Sequence, residues 1–251
     1  MGEPLIQFRN VHKSFGSQVV LDGIDLVIEE GLVTSIIGRS GVGKSVLLKH
    51  VVGLLSPDKG EILFHDQNLL GMPRSERKDL KRKISYMFQN TALFDSMTVY
   101  ENIALPLEEK TKLSKAEIRR QVLEKMEQLQ LGDISDKYPA QISGGMRKRV
   151  ALARALINNP EIILFDEPTT GLDPVRKTAV HNMISRYQRT FGFTAVVVSH
   201  DIPDIFTISQ KVAMLEKGKI VFEGTRQEIE TTSDPVVQQF IRGEEASNHL
   251  E

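Results

Sequence analysis

The segment 38–45 constrains the fold more than any other part of this 251-residue chain. It reads Gly-Arg-Ser-Gly-Val-Gly-Lys-Ser and matches the phosphate-loop spacing G-x-x-x-x-G-K-[ST]. The apolar run 33–37 before it predicts a buried strand, and residues 46–55 after it can form a helix. Glycines let backbone N–H groups turn inward around phosphate oxygens, and a helix N-terminus adds partial positive charge. We therefore predict a strand, a phosphate-binding loop and a helix in direct succession.

This loop supplies most of the candidate nucleotide-binding residues. Lys44 is expected to reach the β- and γ-phosphates, and the hydroxyl of Ser45 is expected to bind Mg²⁺. The competing interpretation is an ordinary glycine-rich turn, which would not require a strand before it and a helix after it. The predicted nucleotide contacts of this segment are Gly38, Ser40, Gly41, Gly43, Lys44, Ser45 and Val46.

A pair of carboxylates follows a second apolar run, residues 162–165. In α/β proteins, ligands bind where parallel strands end. We expect Asp166 to hold Mg²⁺ through water, and Glu167 to accept a proton from, or to orient, the water that attacks the γ-phosphate. An isolated Asp-Glu pair is more often a solvated loop, so this prediction depends on the phosphate loop.

The remaining apolar pattern predicts an α/β fold. Runs 33–37, 162–165 and 195–198 lack alternation, which is typical of parallel strands buried on both faces. The first thirty or so residues alternate instead, with a turn at 15–17, and favour a small antiparallel sheet. Ser114 and Glu117 form a capping-box signal before an amphipathic helix over about 115–130.

Composition excludes several classes of function. The chain has no cysteine, which rules out disulfides and thiol chemistry and fits a reducing compartment. The formal net charge of -1 gives no overall field that would attract nucleic acid, so no nucleic-acid partner is expected. No apolar run approaches the ~18 residues of a membrane span, and the N-terminus has no run typical of a signal peptide. We therefore expect a soluble, intracellular chain.

Further short segments occur along the chain in an order that identifies a family, although each alone would be weak. The chain resembles the ATPase domains of ABC proteins over essentially its whole length. The segments that carry this resemblance are Phe15, Gln89, Ile142-Ser143-Gly144-Gly145-Met146, Gly171-Leu172-Asp173-Pro174 and Ser199-His200-Asp201.

The resemblance implies one ABC ATPase domain over residues 1–251. Its α/β fold consists of a P-loop NTPase (RecA-like) core, a small antiparallel β subdomain and an inserted α-helical subdomain. The core is expected at 1–90 and 151–243, with the β subdomain within 1–32 and the helical subdomain at 91–150. A short tail, 244–251, follows.

The same resemblance implies roles in binding and hydrolysing ATP with Mg²⁺. Phe15 is expected to lie against adenine, Gln89 to touch Mg²⁺ or the attacking water, and His200 to contact the γ-phosphate. Together with Glu167, Gln89 and His200 form the expected catalytic set. Two copies of the chain are expected to enclose two ATP molecules, with Ser143, Gly144 and Gly145 of one closing on the nucleotide of the other. Asp173 is expected near that dimer interface.

One departure from the family pattern indicates a subgroup of the family. Met146 replaces the usual glutamine, which is typical of the Mla/Mce-type phospholipid-transport ATPases. Segments 92–107 and 234–243 resemble that subgroup as well. The implied function is to power phospholipid transport between bacterial membranes and so maintain outer-membrane lipid asymmetry. The implied partners are a multi-span inner-membrane permease and an MCE-type lipid-binding protein, with the chain peripheral on the cytoplasmic face of that membrane.

Several alternatives stay open from the sequence. The cargo could be another small solute, such as an amino acid or a metal. A non-transport ABC ATPase in DNA repair or on the ribosome is disfavoured, because no sustained heptads, second ATPase domain or basic linker occurs. A binding module without hydrolysis is opposed by the presence of both Glu167 and His200.

Overall fold

The computed structural model describes residues 2–73, 76, 80, 82–88 and 91–242. Gln89 and the tail 244–251 therefore lie outside the described residues. The described residues form ten strands: β1 (Pro4–Phe15), β2 (Gln18–Glu29), β3 (Val33–Ile37), β4 (Lys59–Phe64), β5 (Gln67–Asn68), β6 (Ile84–Met87), β7 (Ile162–Asp166), β8 (Thr194–Ser199), β9 (Lys211–Glu216) and β10 (Lys219–Thr225). The described helices are α1 (Lys44–Val51), α2 (Val99–Lys110), α3 (Lys115–Gln128), α4 (Gly144–Leu156), α5 (Pro174–Phe191), α6 (Arg226–Thr231) and α7 (Pro235–Ile241). Two short 3₁₀ turns cover Pro139–Gln141 and Asp204–Thr207.

The six-stranded sheet has the order β10-β9-β3-β8-β7-β6. Strands β9, β3, β8, β7 and β6 run parallel, and β10 is antiparallel to β9. All residues of β3 and β8 are buried, which explains why these strands lack the alternation of apolar and exposed polar residues. The carboxyl ends of β3, β8 and β7 are neighbours, so the residues that follow these three strands meet at one edge of the sheet.

The second sheet is antiparallel, with the order β2-β1-β4-β5. Pairing of β1 with β2 confirms the sheet predicted at the N-terminus. The predicted limit of 1–32 is too narrow for it, because β4 and β5 lie beyond α1 in the sequence. Strand β4 pairs with β1, and β5 pairs with β4. Their pairing is a long-range contact that the local alternation of residues does not reveal.

The middle of the chain is helical, as expected. Helix α3 begins after the predicted capping box, in which Ser114 Oγ accepts from the backbone N–H of Glu117 and the Glu117 carboxylate accepts from Ser114 N–H. Helix α4 begins at Gly144, where the Ser143 hydroxyl caps it by accepting a hydrogen bond from the backbone N–H of Met146. It continues to Leu156, so the predicted subdomain boundary at 150 falls inside a helix.

Helix α1 is shorter at its C-terminus than the predicted 46–55, since it ends at Val51 and Gly53 takes a positive φ of 69°. Among the described residues, no helix combines the length and apolar content needed to cross a bilayer.

Candidate nucleotide-binding site

The loop between β3 and α1 surrounds the ammonium group of Lys44. Lys44 Nζ donates to the carbonyl oxygens of Gly38, at 2.8 Å, and Arg39, at 2.9 Å, and the side chain is only 3 % exposed. A Cβ at Gly38 would stand 2.3 Å from the carbonyl oxygen of Leu215, and one at Gly43 would stand 2.8 Å from Cγ1 of Val20. Both glycines also have positive φ, so only glycine permits this close, left-handed path.

The other predicted residues of the loop lie either at its exposed tip or in the first turn of α1. Ser40 and Gly41 are exposed at its tip, where a Cβ on Gly41 would meet nothing within 4 Å. Val46 lies in the first turn of α1, and its backbone N–H donates to Gly43 O at 2.9 Å. The loop therefore presents an open rim above a buried cation at the start of a helix, an arrangement that suits phosphate.

Ser45 and Asp166, both predicted to hold Mg²⁺, are hydrogen-bonded to each other. Ser45 Oγ donates to Oδ1 of Asp166 at 2.6 Å, and the hydroxyl of Tyr86 donates to Oδ2 at 2.6 Å. Burial raises the pKa of Tyr86 far above its usual range, with a further contribution from the hydrogen bond to Asp166, so this phenol stays a donor. A hydroxyl beside a carboxylate is the hard oxygen donor set that fits Mg²⁺.

Glu167 lies between the side chains of Lys44 and His200. Its Oε1 is 3.4 Å from Lys44 Nζ, and its Oε2 is 2.9 Å from Nδ1 of His200. The hydroxyl of Thr170 also donates to Oε2, at 2.8 Å. A φ of 47° turns Glu167 away from the direction of β7 and toward these partners.

Electrostatics keep the Glu167 carboxylate ionised. Burial alone would raise the pKa of Glu167, but the Thr170 hydrogen bond and the charges of His200 and Lys44 lower it overall. Burial also lowers the pKa of Lys44, and the neighbouring Glu167 opposes that change. Glu167 and Lys44 thus form a close pair of opposite charge.

Ser143, Gly144 and Gly145 are exposed at the beginning of α4. They line an open cavity of about 940 Å³ between α4 and α5. Asp173 accepts a hydrogen bond from the backbone N–H of Arg176 at 3.0 Å and so caps α5. Lys148 of α4 donates to the carbonyl oxygen of Pro168, which links this helix to the loop after β7.

Phe15 lies at the end of β1 and is 46 % exposed, which leaves its ring available for stacking. Lys13 Nζ stands 5.6 Å from the ring centroid and is itself paired with Asp58 at 2.7 Å. The structure thus brings together Lys44, Ser45, Asp166, Glu167 and His200. Gln89, predicted to join them, lies outside the described residues.

Two residues of the site were missed by the sequence analysis. Tyr86 reaches Asp166 because β6 and β7 pair in parallel, with Tyr86 opposite Leu164. Thr170 reaches Glu167 because the chain turns back after β7. Neither has a local motif; only the strand register and the turn geometry would have indicated them.

The sequence pattern of the family described as "ABC transporter" matches residues 21–170 of the chain. The chain belongs to the ABC transporter family. Its nucleotide site is therefore an ATP site, and the chain is an ABC ATPase.

Curated relatives of this ABC ATPase cover nearly its whole length. The chain is 38 % identical over 239 residues to the "Intermembrane phospholipid transport system ATP-binding protein MlaF" of Escherichia coli K12, covering 95 % of this chain and 89 % of that protein. It is 40 % identical over 238 residues to the "Probable ribonucleotide transport ATP-binding protein mkl" of Mycobacterium tuberculosis H37Rv, covering 95 % of this chain and 66 % of that protein.

Solved ABC ATPases have the same fold. The chain superposes with a TM-score of 0.83 on cbiO1 of Clostridium perfringens, described as part of the ABC transporter complex cbiONQ, at 28 % identity and covering 96 % of each chain. It superposes with a TM-score of 0.76 on the ATP-binding cassette MJ0796, a dimer bound to ADP and Pi, at 33 % identity. That match covers 88 % of this chain and 99 % of the other. The predicted P-loop fold with an ABC ATPase architecture is confirmed.

Proposed function

We propose that this ABC ATPase powers phospholipid transport between bacterial membranes and so helps to maintain outer-membrane lipid asymmetry. The observation that carries the proposal is the 38 % identity over 95 % of the chain to a protein named for intermembrane phospholipid transport. Met146, in the segment Ser143–Met146, supports the same assignment, since it replaces the glutamine usual in the wider family.

Hydrolysis uses the cluster of charged residues at the sheet edge. Lys44 binds the β- and γ-phosphates, and Phe15 stacks against adenine. The rest of the phosphate loop completes the nucleotide contacts through Gly38, Ser40, Gly41, Gly43 and Val46. Glu167 accepts a proton from the attacking water, and His200 contacts the γ-phosphate. The ionised state of Glu167 supports its role as a base.

Ser45 and Asp166 hold Mg²⁺, whose chemistry in this site is to neutralise charge on the phosphates. The Ser45 hydroxyl and the Asp166 carboxylate, whose oxygen atoms lie 2.6 Å apart, would supply the hard oxygen donors that hold this ion. Gln89 belongs to the same proposed set, as a contact to Mg²⁺ or to the attacking water.

Two copies of the chain act together. Ser143, Gly144 and Gly145 are exposed at a helix N-terminus, which supports their closing on the nucleotide of a second copy, with Asp173 near the interface. The dimeric assembly of MJ0796, which has the same fold, supports this arrangement. Loss of the γ-phosphate removes contacts to both copies and lets the dimer open.

The membrane partner is a multi-span permease, with an MCE-type lipid-binding protein in the complete system. The chain lies on the cytoplasmic face of the inner membrane. A cavity of about 300 Å³ beside β6 is the groove proposed to receive the permease. The groove is lined partly by Leu54, Met87 and Pro106. Arg154 stabilises its wall, because its guanidinium donates to the carbonyl oxygens of Thr91 and Ala92.

A second candidate cargo is a ribonucleotide or another small solute. The 40 % identity to a protein named as a probable ribonucleotide transport subunit favours it. Both candidates share the ATPase chemistry and differ only in the membrane and binding partners.

Co-purification of the full chain with its native partners distinguishes the two cargoes. We expect a multi-span permease and stoichiometric phospholipid, identified by mass spectrometry after extraction. A permease that arrives with a solute-binding protein and without lipid would reject the phospholipid assignment and leave the ATPase assignment intact.

A further inference from the structure

Two aromatic side chains join the surface beside the groove to Asp166. Phe88 follows β6 and is 47 % exposed. Its ring centroid lies 4.5 Å from that of Tyr86, since residues two apart in an extended chain face the same side. The hydroxyl of Tyr86 then donates to Oδ2 of Asp166 at 2.6 Å. The groove itself is lined by Tyr86 and its neighbours Ser85 and Met87.

Asp166 is held at both carboxylate oxygens. Tyr86 bonds Oδ2, and Ser45 bonds Oδ1 at the same distance of 2.6 Å. The carboxylate cannot rotate about its Cβ–Cγ bond without breaking one of these hydrogen bonds. Because the phenol is half-buried, water competes only weakly for the bond to Oδ2.

We propose that Tyr86 is a positioning residue for the Asp166 carboxylate, and that the ring of Phe88 holds the Tyr86 phenol in place. The proposal rests on the proposed role of Asp166 in holding Mg²⁺. Tyr86 fixes the orientation in which Asp166 is presented beside Ser45.

Removal of one hydroxyl tests the positioning role. Tyr86→Phe keeps the ring and loses only the hydrogen bond to Asp166. The affinity of the full chain for a non-hydrolysable ATP analogue is measured by calorimetry with Mg²⁺ and again with EDTA. We expect the gain in affinity caused by Mg²⁺ to fall about three- to tenfold, as expected for one hydrogen bond to a charged group, with the affinity in EDTA unchanged.

Ser85→Ala is the matched control. It removes a hydroxyl from the adjacent residue of the same strand, which bonds the carbonyl oxygen of Ala155 at 2.7 Å and not Asp166. We expect it to leave the Mg²⁺-dependent gain unchanged. An equal loss with Mg²⁺ and EDTA in Tyr86→Phe would show that Tyr86 only supports the fold, and an unchanged gain would also overturn the positioning role.

Asp166→Asn separates this inference from the proposed function on which it rests. If the Mg²⁺-dependent gain survives Asp166→Asn, the metal assignment of Asp166 is wrong and the inference fails with it. If Asp166→Asn abolishes the gain while Tyr86→Phe preserves it, the inference alone is wrong.

A double-mutant cycle tests the connection through Phe88. Phe88→Leu removes the ring contact and keeps an apolar side chain. If the ring holds the phenol in place, the double variant with Tyr86→Phe loses little more than Tyr86→Phe alone. Additive losses would reject the connection through Phe88.

Discussion

Nδ1 of His200 lies 2.9 Å from Oε2 of Glu167, although the two residues follow different strands. The other oxygen of Glu167 faces Lys44 at 3.4 Å. One carboxylate thus connects the loops after β3, β7 and β8. A change at the phosphate position that moves Lys44 or His200 therefore changes the surroundings of the Glu167 carboxylate, the proposed base.

Glu167→Gln is expected to abolish steady-state ATP hydrolysis while retaining ATP binding. The amide cannot accept the proton, whereas Asp166 and Ser45 remain, so turnover should fall by about 10² to 10⁴. Phosphate release by the complete transporter and nucleotide affinity of the isolated chain are the two measurements. Glu109→Gln, an exposed residue of α2, is the control. Undiminished hydrolysis in Glu167→Gln would reject the assigned base.

Ser143→Arg is expected to block hydrolysis in the assembled transporter without lowering the ATP affinity of the isolated chain. A large cation at the beginning of α4 prevents close approach of a second copy, whereas the loop around Lys44 is untouched. Nucleotide affinity is measured on the monomeric chain, and hydrolysis is measured on the assembled transporter. The exposed Ser233→Arg serves as control and should leave both unchanged. A collapse of monomer affinity would contradict a contact in trans.

Thr170→Val is expected to move the acid limb of the pH–rate profile to higher pH. Burial raises the pKa of Glu167, and the hydroxyl of Thr170 is the first of the contacts that lower it. Without the hydroxyl, burial raises the pKa of Glu167, so the carboxylate becomes protonated at a higher pH. Activity on the acid side of the profile therefore declines at a higher pH.

The pH dependence of kcat/KM checks this expectation in the complete transporter. Thr178→Val, which removes a hydroxyl bonded only to the carbonyl oxygen of Pro174 at 3.1 Å, is the control. The same sign applies to stability: the lowered pKa of Glu167 contributes stability above the unfolded-state pKa, and this contribution is lost as pH falls through the folded-state value. An acid limb that stays in place in Thr170→Val would show that this hydroxyl does not tune the base.

Asn102→Ala is expected to lower the free energy of unfolding by about 2–4 kcal/mol. The side chain is 0 % exposed, and its amide donates to the carbonyl oxygens of Phe94, Met97 and Thr98 while its oxygen accepts from Phe94 N–H. Alanine removes all of these hydrogen bonds, and the Phe94 N–H and the Met97 carbonyl oxygen lose the partner that Asn102 supplies. Urea unfolding followed by circular dichroism measures the change.

Asn182→Ala, on the exposed side of α5, is the control for this prediction. We expect it to stay within about 0.5 kcal/mol of the parent protein. A similarly small effect at Asn102 would mean that the segment before α2 is not held by this side chain.

The sequence predicted the parts of the site that carry local signals. The phosphate loop needs glycine, lysine and serine at fixed spacing, and the acidic pair follows a buried strand, so Lys44, Ser45, Asp166 and Glu167 could be named in advance. Their contacts, Ser45 to Asp166 and Lys44 to Glu167, follow from the parallel sheet.

Features that depend on long-range register could not be predicted in the same way. Tyr86 becomes part of the site only because β6 pairs with β7 at one register, and a shift of one residue would turn its side chain to the other face. Strands β4 and β5 likewise join the N-terminal sheet from across α1. Composition and periodicity describe one segment at a time and do not specify which segments pair.

The position of β8 has a consequence for protein synthesis. Strands β3 and β7 each pair with β8, which lies between them in the sheet although it follows both in the sequence. The phosphate loop and the acidic pair therefore have no shared scaffold until the ribosome has released residues 194–199. A nascent chain therefore cannot hold Lys44 beside Glu167 through this sheet until β8 has been synthesised.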